Sequence, residues 1–243
     1  MSTTPHVFRT IWRRELKFYL RGMSGWLLVA GFSAITDAVL LVRIAEESGK
    51  MQTLPNLFAS ALLWALPALV ALVTMRTFAE ERATGTLELL LTAPVPDRSV
   101  VLAKFAAAYT VVFLAVLASI GGLAIYAETA SPHPDYSRTG VAAATGVLLL
   151  HAASWTAAGL LASLFVRRQA VAAVLTLAVT LPAALVLSGE LAPYTSFKPL
   201  EYLAIGEVAR GVVDSRTIVL AVSTLLLYLF TAVRALEARR WKL

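Results

Sequence analysis

The sequence predicts an all-α integral membrane protein with six transmembrane helices, and three observations carry that prediction. Hydrophobic residues make up 58% of the 243 residues and charged residues only 15%, whereas soluble domains average about 45–50% and about 25%. Six apolar stretches approach or exceed the roughly 20 residues that a spanning helix needs. The lysines and arginines fall mainly between alternate stretches, which is typical of a membrane topology.

Several classes of site are excluded by composition and motif. There is no cysteine, so disulfides, thiolate nucleophiles and Cys-based metal sites are ruled out. The three histidines are too scattered for a metal motif on one helix. Neither the G-x-x-x-x-G-K-[ST] phosphate loop nor the H-E-x-x-H zinc motif occurs. We therefore expect no cofactor, no metal and no catalytic residues in this chain, and any ATP to be bound by a partner subunit.

An amphipathic helix is predicted at residues 6–23, before the first span. Apolar side chains recur there at helical spacing on one side. Its basic stripe recurs every fourth position: Arg9, Arg13, Lys17 and Arg21. We predict an interfacial helix on the inner leaflet, with this stripe toward anionic lipid headgroups. The alternative is a plain cytosolic extension that only sets topology.

The six spans are predicted near 24–42, 56–75, 101–127, 139–166, 169–188 and 217–236. No linker divides the chain, so residues 1–243 read as a single transmembrane domain. With both termini, the 76–104 loop and the 167–168 turn on one face, that face holds fifteen of the 21 lysines and arginines. This positive-inside bias predicts that both termini are cytoplasmic. The net charge of +6 then indicates headgroup contacts and not a nucleic-acid partner.

The loop between the second and third spans contains EERATGTLELLLTAPVPDRSVVLAKF, residues 80–105. Gly85 can end a polar extension of the second span, Thr86 can cap a new short helix, and Pro94 stops it. That helix has an apolar stripe at i, i+3 and i+4: Leu87, Leu90 and Leu91. It is too short to cross a bilayer, so we expect its leucines to be exposed and to need a protein groove or the membrane surface.

An acid–base enzyme is the alternative interpretation of this loop, because Glu80 and Glu81 are adjacent carboxylates. No metal ligand or nucleophile motif accompanies them. They also fall just beyond the predicted end of the second span, where we expect water to solvate them. A mechanical role for the loop is favoured over catalysis.

Asp37 and His151 are ionisable residues inside predicted spans. Such groups are costly in a bilayer and usually functional, so both are candidates for lining a substrate path. Alternatively, Asp37 is close enough to the outer boundary to reach the headgroups or Arg43. A neutral His151 can instead form a hydrogen bond with a neighbouring helix. Between the fifth and sixth spans, the periodicity after Pro199 predicts short outer helices, and Asp214 is placed to cap the sixth span.

Two separated stretches and the predicted topology resemble type-2 ABC exporter permeases, most closely their gliding-motility-type branch. Residues 80–105 resemble the loop between the second and third spans of those permeases. PLEYLAIGEVARGVVDSRTIVL, residues 199–220, is similar to their outer segment with its R-G-V-x-D-x-R pattern, and the ending LEARRW also fits. The residues of that outer motif are Arg210, Gly211, Asp214 and Arg216.

The resemblance implies a permease subunit of a bacterial plasma membrane that pairs with a second copy or a sister permease. It also implies two cytosolic ABC ATPase subunits, with the short helix of the 76–104 loop seated in them as a coupling helix. The glutamates of the loop would contact the ATPase or the N-terminal helix. The residues assigned to coupling are Glu80, Glu81, Gly85, Thr86, Leu87, Glu88, Leu90 and Leu91.

Two other functions stay open at the level of sequence. An ion-coupled secondary transporter would require paired charges deep in several spans and repeat symmetry, and Asp37 and His151 are the candidates here. A non-transporting membrane scaffold driven by an ATPase partner would share the same architecture. Movement of a substrate in vesicles would separate an exporter from the scaffold.

Overall fold

The computed structural model describes residues 4–46, 54–87, 92, 95–130, 137–189, 205–209 and 212–240. Within these residues every regular element is a helix, which confirms the predicted all-α class. In chain order the helices are α1 (Thr4–Arg21), α2 (Met23–Glu46), α3 (Leu54–Thr74), α4 (Ala79–Ala83), α5 (Asp97–Thr129), α6 (Arg138–Phe165), α7 (Gln169–Ser188), α8 (Ile205–Ala209) and α9 (Ser215–Arg240).

Six of these helices are long and apolar enough to cross a membrane: α2, α3 with its continuation α4, α5, α6, α7 and α9. The fifth span has the predicted bounds. With α4 the second span ends at Ala83 and not at 75, and every other end lies within about four residues of its predicted position. Helix α5, with 33 residues, is about 50 Å long. Because the hydrocarbon core of a bilayer is about 30 Å thick, α5 is long enough to project beyond it.

Helices α3 and α6 form the centre of the bundle. Helices α2 and α5 pack on one side of this pair, α7 on another, and α9 against α6. The main core is apolar, with Phe58 and Leu62 of α3, Val112 of α5 and Leu148 of α6 fully or almost fully buried. Helices α2, α7 and α9 expose large apolar side chains that suit lipid or another membrane helix, including Trp26, Ile35, Val174, Leu226 and Phe230.

The two ends of the bundle differ. The end with α1, α4, the turn after α6 and the end of α9 is called the basic end. At the opposite end α8 packs against α3 and α6 with Ile205 and Val208 buried, so a short helix is present there as predicted. Asp214 caps α9 as expected, because its carboxylate accepts the backbone N–H of Arg216 at 2.8 Å. Arg210 and Gly211 lie outside the described residues.

Candidate functional site

Helix α1 is docked on the bundle through its apolar side. It packs along α5, and the hydroxyl of Tyr19 donates a buried hydrogen bond of 2.9 Å to the carbonyl of Val73. Leu16 packs against the main core and Ile11 against a second apolar cluster. Protein therefore covers part of the face that we expected to meet lipid. The basic stripe is exposed: Arg9, Arg13, Lys17 and Arg21.

A buried lysine joins α1, α4 and α5 at the basic end. The side chain of Lys104 on α5 is only 1% exposed. Its Nζ lies 3.1 Å from Oε1 of Glu15 on α1 and 2.9 Å from Oε1 of Glu81 on α4. It also donates to the carbonyl of Thr77 at 2.8 Å and lies 5.1 Å from the ring centre of Phe78. A buried lysine is stable only when paired, so this site fixes three elements together.

Arg14 completes the charge balance of this cluster. Its guanidinium lies 2.8 Å from Glu15 and 3.5 Å from Glu81. Burial alone would raise the pKa of Glu15, but attraction to Lys104 and the hydrogen bonds from Arg14 and Lys104 outweigh it. The pKa of Glu15 is therefore lowered and its carboxylate stays ionised. We name Arg14, Glu15, Glu81 and Lys104 the charged cluster. A cavity of about 620 Å³ opens beside it.

The two adjacent glutamates do not lie in bulk solvent as a free pair. The side chain of Glu81 is 19% exposed and turned toward Lys104, and its second oxygen, Oε2, is buried with no hydrogen-bond partner in the part of the chain that the structure describes. The expectation that water solvates both carboxylates is therefore wrong for Glu81. The reason is that the second span continues through α4 along the bundle, so Glu81 lies beside Lys104 of α5 and not beyond the protein. Glu80 is half-buried.

Leu87 is buried, although we expected it to be exposed. It is 5% exposed and belongs to the second apolar cluster, together with Phe78, Val100, Leu160 and Leu236. Leucine periodicity predicts an apolar face, but it does not show whether that face turns toward the chain or away from it. Glu88, Leu90 and Leu91 lie outside the described residues, so their assignment to coupling stays a prediction.

The segment before Leu87 is attached to the end of α6 as well. Arg82 donates to the carbonyls of Leu164 and Phe165, the last turn of that helix. After α4, Gly85 adopts a φ of 76°, a left-handed conformation that favours glycine at a helix end. The hydroxyl of Thr86 donates back to the carbonyl of Glu81 at 3.3 Å. The segment thus leaves α4 by a sharp turn.

Asp37 and His151 occupy different helix contacts. Asp37 accepts from Ser33 at 3.3 Å and lies against Gly122 of α5, where an added Cβ would fall 2.3 Å from its carboxylate. Asp37 therefore faces α5, and its Oδ1 is buried with no partner among the residues that the structure describes. His151 is buried on α6 and faces a cavity that α7 and α9 also line. The structure does not bring the two residues together.

The pairing of Glu15 with Lys104 was missed at the level of sequence, although two signals point to it. Glu15 is the one acid in residues 6–23, a stretch of mainly basic and apolar residues. Lys104 is the one charged residue between Arg98 and Glu128, inside the predicted third span. A lone acid and a lone base in such settings each need a partner of opposite charge. Only the fold shows that they meet.

Comparison with known proteins agrees with this architecture. Among curated proteins no match was found. The family model described as ABC-2 family transporter protein matches residues 27–229, which includes all or most of each span, α4 and Lys104. Members of this family are membrane subunits of transporters that normally work with ATP-binding subunits. Because the match covers most of its length, the chain belongs to the ABC-2 transporter family and is a multi-pass membrane permease.

Proposed function

We propose that this chain is the permease subunit of an ATP-binding-cassette exporter. It forms a dimer with a second copy or a sister permease, and it couples ATP hydrolysis by two cytosolic ATPase subunits to alternating access. Membership of the ABC-2 family supports the permease role. ATP binds to the partner subunits in this account, because the chain has no phosphate-binding loop.

The attachment of the segment between α3 and α5 carries this proposal. Lys104 ties α4 to α1 and to α5, and Arg82 ties α4 to the end of α6. A force applied to residues 86–92 therefore reaches three helices through short polar contacts. Gly85 provides the bend at the base of this segment. Buried contacts of this kind transmit displacement because packed interiors deform little.

The basic end faces the cytoplasm of a bacterial plasma membrane in this account. The excess of lysine and arginine at that end supports the orientation, and it places residues 86–92 on the side where ATP is available. The exposed basic stripe of α1 then lies at the level of anionic headgroups. The resemblance of residues 80–105 and 199–220 suggests the gliding-motility-type branch of these exporters.

Co-purification with the cognate ATPase tests this proposal. Leu90→Asp places a carboxylate among residues 86–92, the segment that is proposed to contact the ATPase. Burying an unpaired charge at the centre of an interface is costly, so we expect the amount of ATPase retained by the tagged permease to fall about tenfold or more. The measurement is the ratio of the two proteins after detergent extraction and affinity purification.

Val212→Asp is the matched control for this experiment. Val212 is 60% exposed at the opposite end of the bundle, so the same kind of substitution there should leave the ratio unchanged. Full retention of the ATPase by the Leu90 variant would contradict the coupling role of this segment. A loss of ATPase from both variants to the same extent would contradict it as well.

A further inference from the structure

A cavity of about 190 Å³ lies between α6, α7 and α9, apart from the charged cluster. His151 and Trp155 of α6 line it together with Val179 and Ala183 of α7 and Leu220 of α9. Its walls are mostly apolar side chains. His151 is 5% exposed and lies near the middle of α6, so the cavity is at membrane depth. The imidazole of His151 is a polar group among these mostly apolar walls.

The hydrogen bonding of His151 determines whether its ring presents a donor or an acceptor to this cavity. Its Nδ1 lies 3.0 Å from the carbonyl oxygen of Val147. Because a carbonyl can only accept, Nδ1 must carry the hydrogen. A charged imidazolium at this depth is costly, so Nε2 of the neutral ring holds a lone pair. Nε2 is buried and has no hydrogen-bond partner among the described residues. Within that part of the chain it is an acceptor that lacks a donor.

The neighbouring hydroxyls do not supply that donor. Ser154 donates to the carbonyl of Ala221 at 2.7 Å, and Thr224 donates to the carbonyl of Leu220 at 2.7 Å. Tyr228 also lines the cavity, but its hydroxyl does not reach Nε2. An occupant that brings its own O–H or N–H would satisfy a buried group that otherwise stays unpaired, which is a costly condition.

We propose that this cavity binds a small, neutral, mostly apolar molecule that donates one hydrogen bond to Nε2 of His151. The volume sets the size, since a cavity of about 150 Å³ already holds a benzene molecule. Apolar walls and membrane depth exclude a charged ligand. A lipid acyl chain could fill the space, but it has no donor for Nε2. The site does not depend on the coupling role proposed above, because binding requires neither ATP nor the ATPase.

A pair of probes of nearly the same shape tests the proposal on the unmodified chain. 4-Fluorophenol carries a hydroxyl donor, and 4-fluoroanisole replaces it with a methoxy group that can only accept. Binding to the permease in lipid nanodiscs is followed by ¹⁹F NMR, and partition into empty nanodiscs is subtracted. We expect the phenol to bind about tenfold more tightly than the anisole, the contribution of one well-made hydrogen bond.

Two variants locate the binding. His151→Leu keeps an apolar side chain and removes the acceptor, so the preference for the phenol should disappear. Ala183→Leu narrows the cavity from α7, so both probes should bind more weakly. Equal affinity of the unmodified chain for the two probes would overturn the proposal, as would saturable binding of neither. A preference for the phenol that survives His151→Leu would also overturn it.

Discussion

Replacing Lys104 with methionine is expected to lower the free energy of unfolding by about 3 kcal/mol. Methionine fills a similar volume, but it removes the buried cation shared by Glu15 and Glu81 and leaves only the exposed Arg14 to balance two carboxylates. Breaking a buried ion pair by removing one partner costs about 3–5 kcal/mol. We expect the lower end of that range, because the two carboxylates keep 15% and 19% of their exposure. Equilibrium unfolding in mixed detergent micelles measures the change.

Two further variants separate the buried ion pair from a general effect of lysine loss. Lys17→Met makes the same substitution on the exposed face of α1 and should change stability by less than about 0.5 kcal/mol. Adding Glu15→Gln and Glu81→Gln to Lys104→Met removes the two carboxylates that the lysine had neutralised and should restore most of the lost stability. A triple variant as unstable as the single one would show that charge pairing is not what stabilises this site.

Gly159→Ala is expected to destabilise the bundle, by about 1–3 kcal/mol. Three helices meet at Gly159, and a Cβ there would fall 2.2 Å from Oγ1 of Thr74 on α3 and 3.0 Å from Cγ2 of Thr176 on α7. Both threonines are fully buried, and their hydroxyls are held by bonds of 2.7 Å and 2.8 Å to Val70 and Ala172. The methyl group therefore forces the helices apart.

Gly146→Ala on the same helix is the matched control. No atom of the described part of the chain lies within 4 Å of the Cβ that would be added at Gly146. Because glycine inside a helix is less favourable than alanine, the substitution should raise the free energy of unfolding by roughly 0.5–1 kcal/mol. The two substitutions are chemically identical, but they should change the free energy of unfolding in opposite directions in the same assay. Equal effects at the two positions would contradict the close packing of α3, α6 and α7.

The spans are predictable from sequence because the bilayer imposes both a length and an apolar composition on them. Helix α7 has the predicted bounds, and the cap formed by Asp214 was read from local chemistry. The short helix α8 was also expected from periodicity. Each of these features depends on a few neighbouring residues, so a local pattern is enough to find it.

The charged cluster could not be predicted in the same way. Glu15 and Lys104 are 89 positions apart, and their contact depends on how α1 packs along α5. The burial of Leu87 and of Glu81 likewise depends on how α4 and the residues after it pack against distant parts of the chain. Hydrophobic periodicity gives the faces of an element and not the identity of its neighbour. The sites that join distant segments are therefore the ones that the sequence leaves open.

One measurement tests the central claim that energy from a separate ATPase moves this permease. The chain contains no cysteine, so Val212→Cys accepts a single environment-sensitive fluorophore at the end opposite the basic end. With the cognate ATPase in nanodiscs, addition of Mg²⁺ and ATP should change the emission of this label. The emission should not change for the chain alone, or for a preparation that carries Leu90→Asp within residues 86–92. A complex that hydrolyses ATP while the label stays constant would contradict the account, and so would an equal response of the chain alone.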